Sequence, residues 1–165
     1  MMQDAISPWE GSDPVARVEK ALRERGYAGT VLRSEATIFT VDDAARAIGA
    51  HPEEILKTIV LVADGKPLLA LMRGPNRIHT GKVKRFLGAR KVSMASPEVV
   101  YGLSGFRIGG VAPVGYPQEL PALLDEDLFL HDTVWAAAGT DHAFFPVAPV
   151  ELQRLTGGEV ADIRQ

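Results

Sequence analysis

Two apolar segments joined by an Asp-Gly turn set the limits on how this chain folds. Residues 57–63 and 67–73 are rich in Leu, Val, Ile and Ala, and Asp64-Gly65 lies between them. Two strand-forming segments around such a dipeptide predict a β-hairpin. The apolar residues run almost without interruption instead of alternating with polar ones, which indicates strands covered on both faces. The sequence therefore predicts a hairpin inside a mixed central sheet.

Helix and strand signals flank this hairpin. Segment 12–26 begins with Asp13 and Pro14, whereas segment 41–48 has Thr40 as its cap and Gly49 as its stop. Further helices are predicted at 80–87, from Ser96 through 101 and at 149–155, with a short helical turn at 51–54. Strands are predicted at 30–34, 106–108, 120–124, 133–138, 143–147 and 159–163, the last five as parts of one sheet. The predicted class is α+β.

The composition is that of one ordinary globular domain. With 165 residues, 46% of them hydrophobic and 24% charged, the chain can bury a core of its own but is short for two domains. We therefore expect a single domain over residues 1–165, with 1–12 as a flexible tail. No apolar run approaches the roughly 18 residues that a bilayer span needs, and segment 1–14 has no basic residue, unlike a secretory signal. These features predict a cytoplasmic protein without a membrane partner.

Missing residue types and wrong spacings exclude several kinds of chemistry. The chain has no cysteine, which removes disulfides, zinc thiolates and thiol nucleophiles. The histidines at 51, 79, 131 and 142 lack the clustered spacing of a metal site. Segment 74–83 does not have the spacing of a phosphate loop, and 102–105 is one residue short of a serine nucleophile elbow. We therefore expect no metal, no cofactor and no serine nucleophile.

Lys57 stands at the start of an otherwise apolar strand. One interpretation is an edge lysine that blocks unwanted strand pairing. The other is a partly desolvated ammonium that faces a cleft and stabilises negative charge on a substrate carbonyl or phosphate. The residues alone leave both interpretations open.

The glycine-rich segment 105–115 contains the pair Gly109-Gly110. Because no side chain blocks them, such paired glycines let main-chain amides approach a ligand and donate to a developing oxyanion. A bulge or a tight turn would place glycines in the same pattern.

Positive charge is concentrated in one part of a net acidic chain. The formal net charge is −3, yet no acidic residue occurs from Arg73 through Pro97. Such a segment suits a phosphate backbone, although a solvated basic helix would have the same composition. The predicted RNA-binding residues are Arg73, Arg77, Lys82, Lys84 and Arg85, and no DNA partner is predicted.

Taken in order, these segments resemble the YbaK/ProX family, the free-standing relatives of the editing domain inserted in some bacterial prolyl-tRNA synthetases. The pair Lys57-Thr58 and the pair Gly109-Gly110 occur at the family's separation. The resemblance extends from about 30 to 163. Its segments are 43–49, 54–58, 64–65, 91–98, 105–115, 134–139 and 160–163.

The resemblance implies a mixed, barrel-like sheet flanked by helices, and hydrolysis of the ester that joins a small amino acid to the tRNA 3′ ribose. It implies three catalytic residues: Lys57, Gly109 and Gly110. It also implies a second pocket wall formed by Ala137, Ala138 and Gly139. We expect further substrate contacts from Thr58, Val111, Pro113, Thr140 and His142, and for His142 a surface histidine is the alternative. The partners that it implies are aminoacyl-tRNA, in particular tRNA(Pro), and a prolyl-tRNA synthetase. Water, or a hydroxyl or thiol of the substrate, would attack the ester.

Three positions depart from the family's patterns. Ser34 and Glu35 stand where the cysteine-preferring branch has a tyrosine, and Thr58 stands where the alanine-preferring branch has an asparagine. Cys-tRNA(Pro) and Ala-tRNA(Pro) are the leading substrates, while Ser, Thr or a non-protein amino acid also stay open. A non-catalytic module that binds an aminoacyl group, tRNA or a synthetase is the alternative to an enzyme.

Overall fold

The computed structural model describes residues 7–35 and 40–165. Within them the helices are α1 (Pro14–Glu24), α2 (Val41–Ile48), α3 (Thr80–Leu87), α4 (Pro97–Ser104) and α5 (Pro149–Thr156). The strands are β1 (Leu32–Arg33), β2 (Leu56–Ala63), β3 (Lys66–Arg73), β4 (Val92–Met94), β5 (Ala122–Asp125), β6 (Val134–Ala137), β7 (Ala143–Val147) and β8 (Glu159–Ala161). Short 3-10 helices, Pro52–Glu54 and Glu126–Leu130, precede β2 and follow β5. None of the helices in this part of the chain has the length and apolar character needed to cross a bilayer. The α+β class is confirmed.

The described strands form two sheets that meet at the beginning of β2. The larger sheet has the order β4-β2-β3-β5-β8 and is mixed, because β2 is antiparallel to β3 and β4 whereas β5 is parallel to β3 and β8. The smaller sheet, β1-β7-β6, is antiparallel. A β-bridge between Ile55 and Trp135 links the two. Space is therefore enclosed between the sheets at this junction.

The predicted hairpin is the centre of the larger sheet. β2 and β3 pair along the full eight residues of each strand. Asp64 (φ 50°) and Gly65 (φ 83°) both adopt the left-handed conformation that a tight hairpin turn requires. The Asp64 carboxylate accepts hydrogen bonds from the main-chain amides of Arg90 and Lys91, which lowers the pKa of Asp64. The turn is thereby tied to the segment that enters β4.

Apolar side chains cover both faces of the hairpin, as its continuous apolar segments predict. Leu56, Val60 and Leu71 belong to the core that the hairpin shares with α1, α5 and the smaller sheet. Leu61 and Met72 belong to a second cluster, which α3 helps to cover. Full burial of one such side chain stabilises the fold by about 1.5–3 kcal/mol. The hairpin is therefore fixed from both sides, and so is Lys57 within it.

Three expectations about the strands are corrected. The sheet is not barrel-like, because the two sheets touch at the Ile55–Trp135 bridge without closing into a barrel. The later strands do not share one sheet, since β6 and β7 pair with β1 whereas β5 and β8 join the hairpin. Segment 106–108 is not a strand: Gly105 (φ 72°) and Gly109 (φ 91°) turn the chain on either side of it.

The described part of the predicted tail, residues 7–12, lies against α4. The Ser7 and Tyr101 hydroxyls are 3.1 Å apart, and the Trp9 indole donates a hydrogen bond to the Gly102 carbonyl at 3.3 Å. Residues 1–6 of that predicted tail lie outside the described residues.

Arg17 of α1 fastens the glycine-rich loop (residues 105–115) to the domain. Its guanidinium lies 4.5 Å from the centre of the Trp9 ring and 5.1 Å from that of the Phe106 ring. It also donates a hydrogen bond to the Gly115 carbonyl at 3.1 Å. A Cβ at Gly105 would lie only 2.6 Å from the Arg17 Nη2 atom, so glycine is needed for this approach. Arg17 thus contacts both ends of the loop.

Replacing Arg17 by Met is expected to lower the free energy of unfolding by about 1–3 kcal/mol, because the cation–π contacts and the hydrogen bond to Gly115 are lost together. Arg17→Lys should retain part of this stability, since an ammonium can keep one of these contacts but not the whole set. Urea denaturation followed by tryptophan fluorescence measures the change. Lys20→Met on the exposed side of α1 is the matched control and should leave the midpoint where it is; equal losses in both variants would contradict the role of Arg17.

Candidate active site

A cavity of about 490 Å³ lies at the junction of the two sheets. Its described walls are formed by α2, the first half of β2, the connection from β4 to α4, the glycine-rich loop and the smaller sheet. Most of the lining is apolar. Among the predicted site residues, those that line it are Lys57, Thr58, Gly109, Val111 and Ala137.

Lys57 brings a positive charge to this apolar wall. It lies on the half of β2 that pairs with β3 but not with β4, because β4 pairs only with Leu61–Ala63, so the interpretation as an edge lysine stays open. Its Nζ donates a hydrogen bond to the main-chain carbonyl of Asn76. Burial lowers the pKa of Lys57, and the positive charge of Arg77 lowers it further. An ammonium has three N–H donors, so two are left for a ligand after the bond to Asn76.

Thr58 contributes a second polar side chain to the wall. Its neighbours on the same face of β2, Leu56 and Val60, belong to the core between the sheets. The Thr58 hydroxyl is buried and has no hydrogen-bond partner among the described residues. By contrast, the Thr40 hydroxyl on the opposite wall accepts a hydrogen bond from the Asp43 amide, as the N-cap of α2.

The two glycines predicted to be oxyanion donors have different positions. Gly109 lines the cavity, and its amide makes no main-chain hydrogen bond within 7–35 and 40–165. Gly110 lies behind the wall, where its amide donates to the Arg107 carbonyl at 2.9 Å. A Cβ at Gly110 would lie 2.6 Å from the Thr140 Cα. Glycine is thus needed at 110 for packing between two backbones, and its amide is already engaged in a turn.

Of the predicted second pocket wall, Ala137, Ala138 and Gly139, only Ala137 is among the described residues that line the cavity. Ala138 is fully buried, and its amide donates to the Ala143 carbonyl at 2.8 Å. Gly139 (φ 103°) packs on the start of α1, because a Cβ there would lie 2.8 Å from the Pro14 carbonyl oxygen. These two residues support the wall from behind.

Thr140, His142 and Pro113 are not among the described lining residues either. The Thr140 hydroxyl accepts a hydrogen bond from the His142 amide at 3.2 Å. The His142 ring lies 3.1 Å from the Ser34 carbonyl and 3.3 Å from the Asp141 carboxylate. Pro113 lines a separate hollow of about 10 Å³, which has room for about one water molecule at most. The structure therefore gives these three residues contacts away from the cavity.

Several lining residues were not predicted, and they fall into two groups. Those of α2 and β7, such as Ala44 and Phe144, are buried apolar residues, and their sequence does not distinguish a cavity wall from a filled core. Met94 and Ile108 line the cavity yet are 60% and 76% exposed. The sequence could have indicated Met94 and Ile108, because each is a large apolar residue that stands alone in a polar or glycine-rich segment.

The predicted RNA-binding residues also divide into two groups. Arg73 makes an ion pair with Asp127 at 3.3 Å, and Lys82 makes one with Asp162 at 3.0 Å. Both cations are therefore paired with carboxylates of the domain, which leaves them less available to a phosphate backbone than unpaired cations; their RNA-binding role stays a prediction. The remaining three are exposed: Arg77, Lys84 and Arg85.

Metal chemistry is not suggested by the arrangement of ligands. No three His, Asp or Glu side chains in the described part of the chain are grouped so that they could hold a metal ion. The arrangement provides a cation, a main-chain donor and an apolar cavity, which together suit the stabilisation of a developing oxyanion.

Comparison with known proteins identifies the family. A model of the aminoacyl-tRNA editing domain matches residues 35–155. The crystal structure of a proposed trans-editing enzyme for prolyl-tRNA synthetase is 42% identical, covers 98% of this chain and 99% of its own, and superposes with a TM-score of 0.87.

Sequence relatives agree with this structural likeness. The proline–tRNA ligase of Streptococcus gordonii is 31% identical over 170 aligned positions, which cover 99% of this chain and 27% of the ligase. That of Citrifermentans bemidjiense is 34% identical over 103 residues, which cover 62% of this chain and 18% of the ligase. The chain therefore spans about a quarter or less of these ligases. It belongs to the aminoacyl-tRNA editing domain family and is related to the trans-editing proteins of prolyl-tRNA synthetase.

Proposed function

We propose that this protein is a deacylase that hydrolyses the ester between a small mischarged amino acid, Cys or Ala, and the 3′ ribose of tRNA(Pro). The observation that carries the proposal is that Lys57 and Gly109 line one cavity. The family match and the proline–tRNA ligase relatives support tRNA(Pro) as the carrier. A prolyl-tRNA synthetase is the second partner that this relationship favours.

The reaction needs no protein nucleophile, because an aminoacyl ester is already activated. Water, or a hydroxyl or thiol of the substrate itself, attacks the carbonyl carbon. The carbonyl oxygen takes up negative charge in the tetrahedral intermediate, and the Lys57 ammonium and the Gly109 amide stabilise that charge. The bond from the carbonyl carbon to the ribose oxygen then breaks, and that oxygen takes up a proton in place of the one that the attacking water, hydroxyl or thiol has lost. The products of attack by water are the free amino acid and tRNA with its 3′ hydroxyl restored.

The surroundings of Lys57 increase the effect of its charge. Lys57 is half-buried beside a largely apolar wall, so the ammonium acts in a lower effective dielectric than on an open surface. Held donors of this kind cost little reorganisation during the reaction, and removal of one typically lowers kcat by about 10²–10³. The Lys57 ammonium and the Gly109 amide are thus donors of the type that stabilises a developing oxyanion.

Deacylation of tRNA(Pro) charged with Cys, Ala, Ser, Thr or Pro tests the proposed activity and its substrate. We expect accelerated release of Cys or Ala, and Pro-tRNA(Pro) left intact, because editing must spare the correct product. Hydrolysis of every ester at its spontaneous rate would contradict the proposal and would favour the non-catalytic binding module.

Replacing Lys57 by Met keeps most of the side-chain volume and removes the charge. We expect kcat on the preferred substrate to fall by about 10²–10³ while the protein stays folded by circular dichroism. Lys66→Met at the exposed start of β3 is the matched control and should keep the wild-type rate. Full activity of the Lys57 variant would rule out the proposed role of the ammonium.

The acceleration should depend on pH through Lys57. The ammonium is the active form, so the enzymatic rate divided by the spontaneous rate falls as pH rises through the Lys57 pKa. Burial and Arg77 lower that pKa, which places the fall below the ordinary lysine value of about 10.4. Arg77→Gln removes the second cause and should move the fall to higher pH, whereas Arg90→Gln should not. Rates at saturating substrate from pH 7 to 10 measure the shift, and an unmoved profile would speak against it.

The exposed cations of α3 should contribute to tRNA affinity. The double substitution Lys84→Gln and Arg85→Gln is expected to weaken binding and to flatten the plot of log K against log salt concentration by about 1–2. Lys82→Gln should flatten it less, because Lys82 is already paired with Asp162. Filter binding from 50 to 200 mM salt gives the slopes. Equal slopes for the wild type, the double variant and the Lys82→Gln variant would exclude contact between α3 and the RNA backbone.

A further inference from the structure

We propose that Met94 and Ile108, two large apolar residues that line the cavity and are exposed, bind the adenine base of the terminal nucleotide that carries the amino acid. This inference rests on the proposed function and adds to it a binding site for the nucleobase. The site takes a flat, largely apolar ring by contact instead of by hydrogen bonding.

The exposure of the two side chains is the first observation. Ile108 is 76% exposed and Met94 is 60% exposed, although each contributes to the wall of a cavity lined mainly by buried apolar residues. Large apolar side chains that stay exposed beside a cavity mark ligand or partner sites more often than isolated ones do. Contact with a base would remove their apolar surface from water.

The position of the two residues along the chain is the second observation. Ile108 directly precedes Gly109, whose amide is placed at the ester carbonyl in the proposed reaction. Met94 directly precedes Ala95, which also lines the cavity. The two side chains thus line the same cavity as Lys57 and Gly109, and in a nucleoside ester held there the base is separated from the ester by only one sugar.

The size of the cavity is the third observation. About 490 Å³ lies within the range of roughly 300–1,000 Å³ that encloses ligands much larger than an alanyl or cysteinyl group. A small acyl group would leave much of this volume open, and a nucleoside attached to it would fill more. Flipped or single-stranded bases are commonly held between apolar or aromatic side chains, which accept any base by its face.

The scaffold keeps Ile108 in place without the base. Gly105 and Gly109 turn the backbone on either side of it, and Arg17 fastens both ends of the loop. Arg107, the preceding residue, is held with its guanidinium 4.3 Å from the centre of the Tyr101 ring. Ile108 is thus presented by an anchored loop, which lowers the entropic cost of binding.

Two stable analogues test the proposal by calorimetry. One is the preferred amino acid joined through an amide to 3′-amino-3′-deoxyadenosine, and the other is the same amide on a ribose without a base. The wild-type protein should bind the adenosine analogue at least about tenfold more tightly, as expected for one stacked base. Met94→Ser and Ile108→Ser should each reduce this ratio, and together bring it close to one, with the affinity for the base-free analogue unchanged.

Matched controls come from equally exposed apolar residues away from the cavity. Val150 is 70% exposed and Leu130 is 74% exposed, and Val150→Ser and Leu130→Ser should preserve the wild-type ratio. If the wild-type protein bound the two analogues equally, or if its preference for the adenosine analogue persisted in the double variant, the proposal would be overturned. The two exposed side chains would then be assigned to contact with a protein partner. Equal weakening for both analogues would overturn it too, because it would assign them to the acyl pocket.

Failure of the proposed function gives a different result. In that case the wild-type protein would bind neither analogue, and every aminoacyl-tRNA would hydrolyse at its spontaneous rate. Both the deacylase activity and the nucleobase site would then be overturned. Hydrolysis of aminoacyl-tRNA together with equal binding of the two analogues would overturn the nucleobase site alone.

Discussion

The partial burial of one positive charge at the junction of two sheets is the constraint on which the site depends. Lys57 lies on the half of β2 that pairs with β3 but not with β4, and it is half-buried in a largely apolar cavity wall. Burial lowers the pKa of Lys57, and the same exclusion of water increases the field that the ammonium exerts on a ligand. The Asn76 carbonyl accepts one of its hydrogen bonds, which offsets part of the desolvation cost. The fold thus holds a cation where an oxyanion could form.

Close contact between backbones sets the shape of the opposite wall. The start of α1 packs on Gly139, the adjoining Thr140 packs on Gly110, and the glycine-rich loop then presents Gly109 to the cavity. Arg17 fastens the same loop from α1. Because each layer leaves no room for a Cβ at its glycine, a displacement of α1 would be passed on to the cavity wall. The cavity wall at Gly109 is therefore backed by closely packed backbone at Gly110 and Gly139, which favours a fixed oxyanion donor.

Local signals in the sequence were sufficient to predict much of this framework, whereas long-range pairing was not. α2, α3 and β7 have the predicted bounds 41–48, 80–87 and 143–147, since caps, glycines and turn residues act within a few positions. The pairing of strands into two separate sheets depends on distant segments. The ion pairing of Arg73 and Lys82 depends on aspartates 54 and 80 residues away. Likewise, the sequence does not distinguish the Gly109 amide, which makes no main-chain hydrogen bond among the described residues, from the Gly110 amide, which donates to the Arg107 carbonyl. Lys57, Thr58, Gly109, Val111 and Ala137 line one cavity, and the resemblance grouped them through relations that no local pattern contains; their roles stay predictions.

Whether Lys57 and Gly109 act on the same atom can be measured in a crystal structure of the protein with an aminoacyl amide of 3′-amino-3′-deoxyadenosine. The result expected here is a carbonyl oxygen about 2.7–3.1 Å from both the Lys57 Nζ and the Gly109 amide nitrogen. A carbonyl bound elsewhere in the cavity, or in contact with only one of the two donors, would contradict a shared oxyanion site.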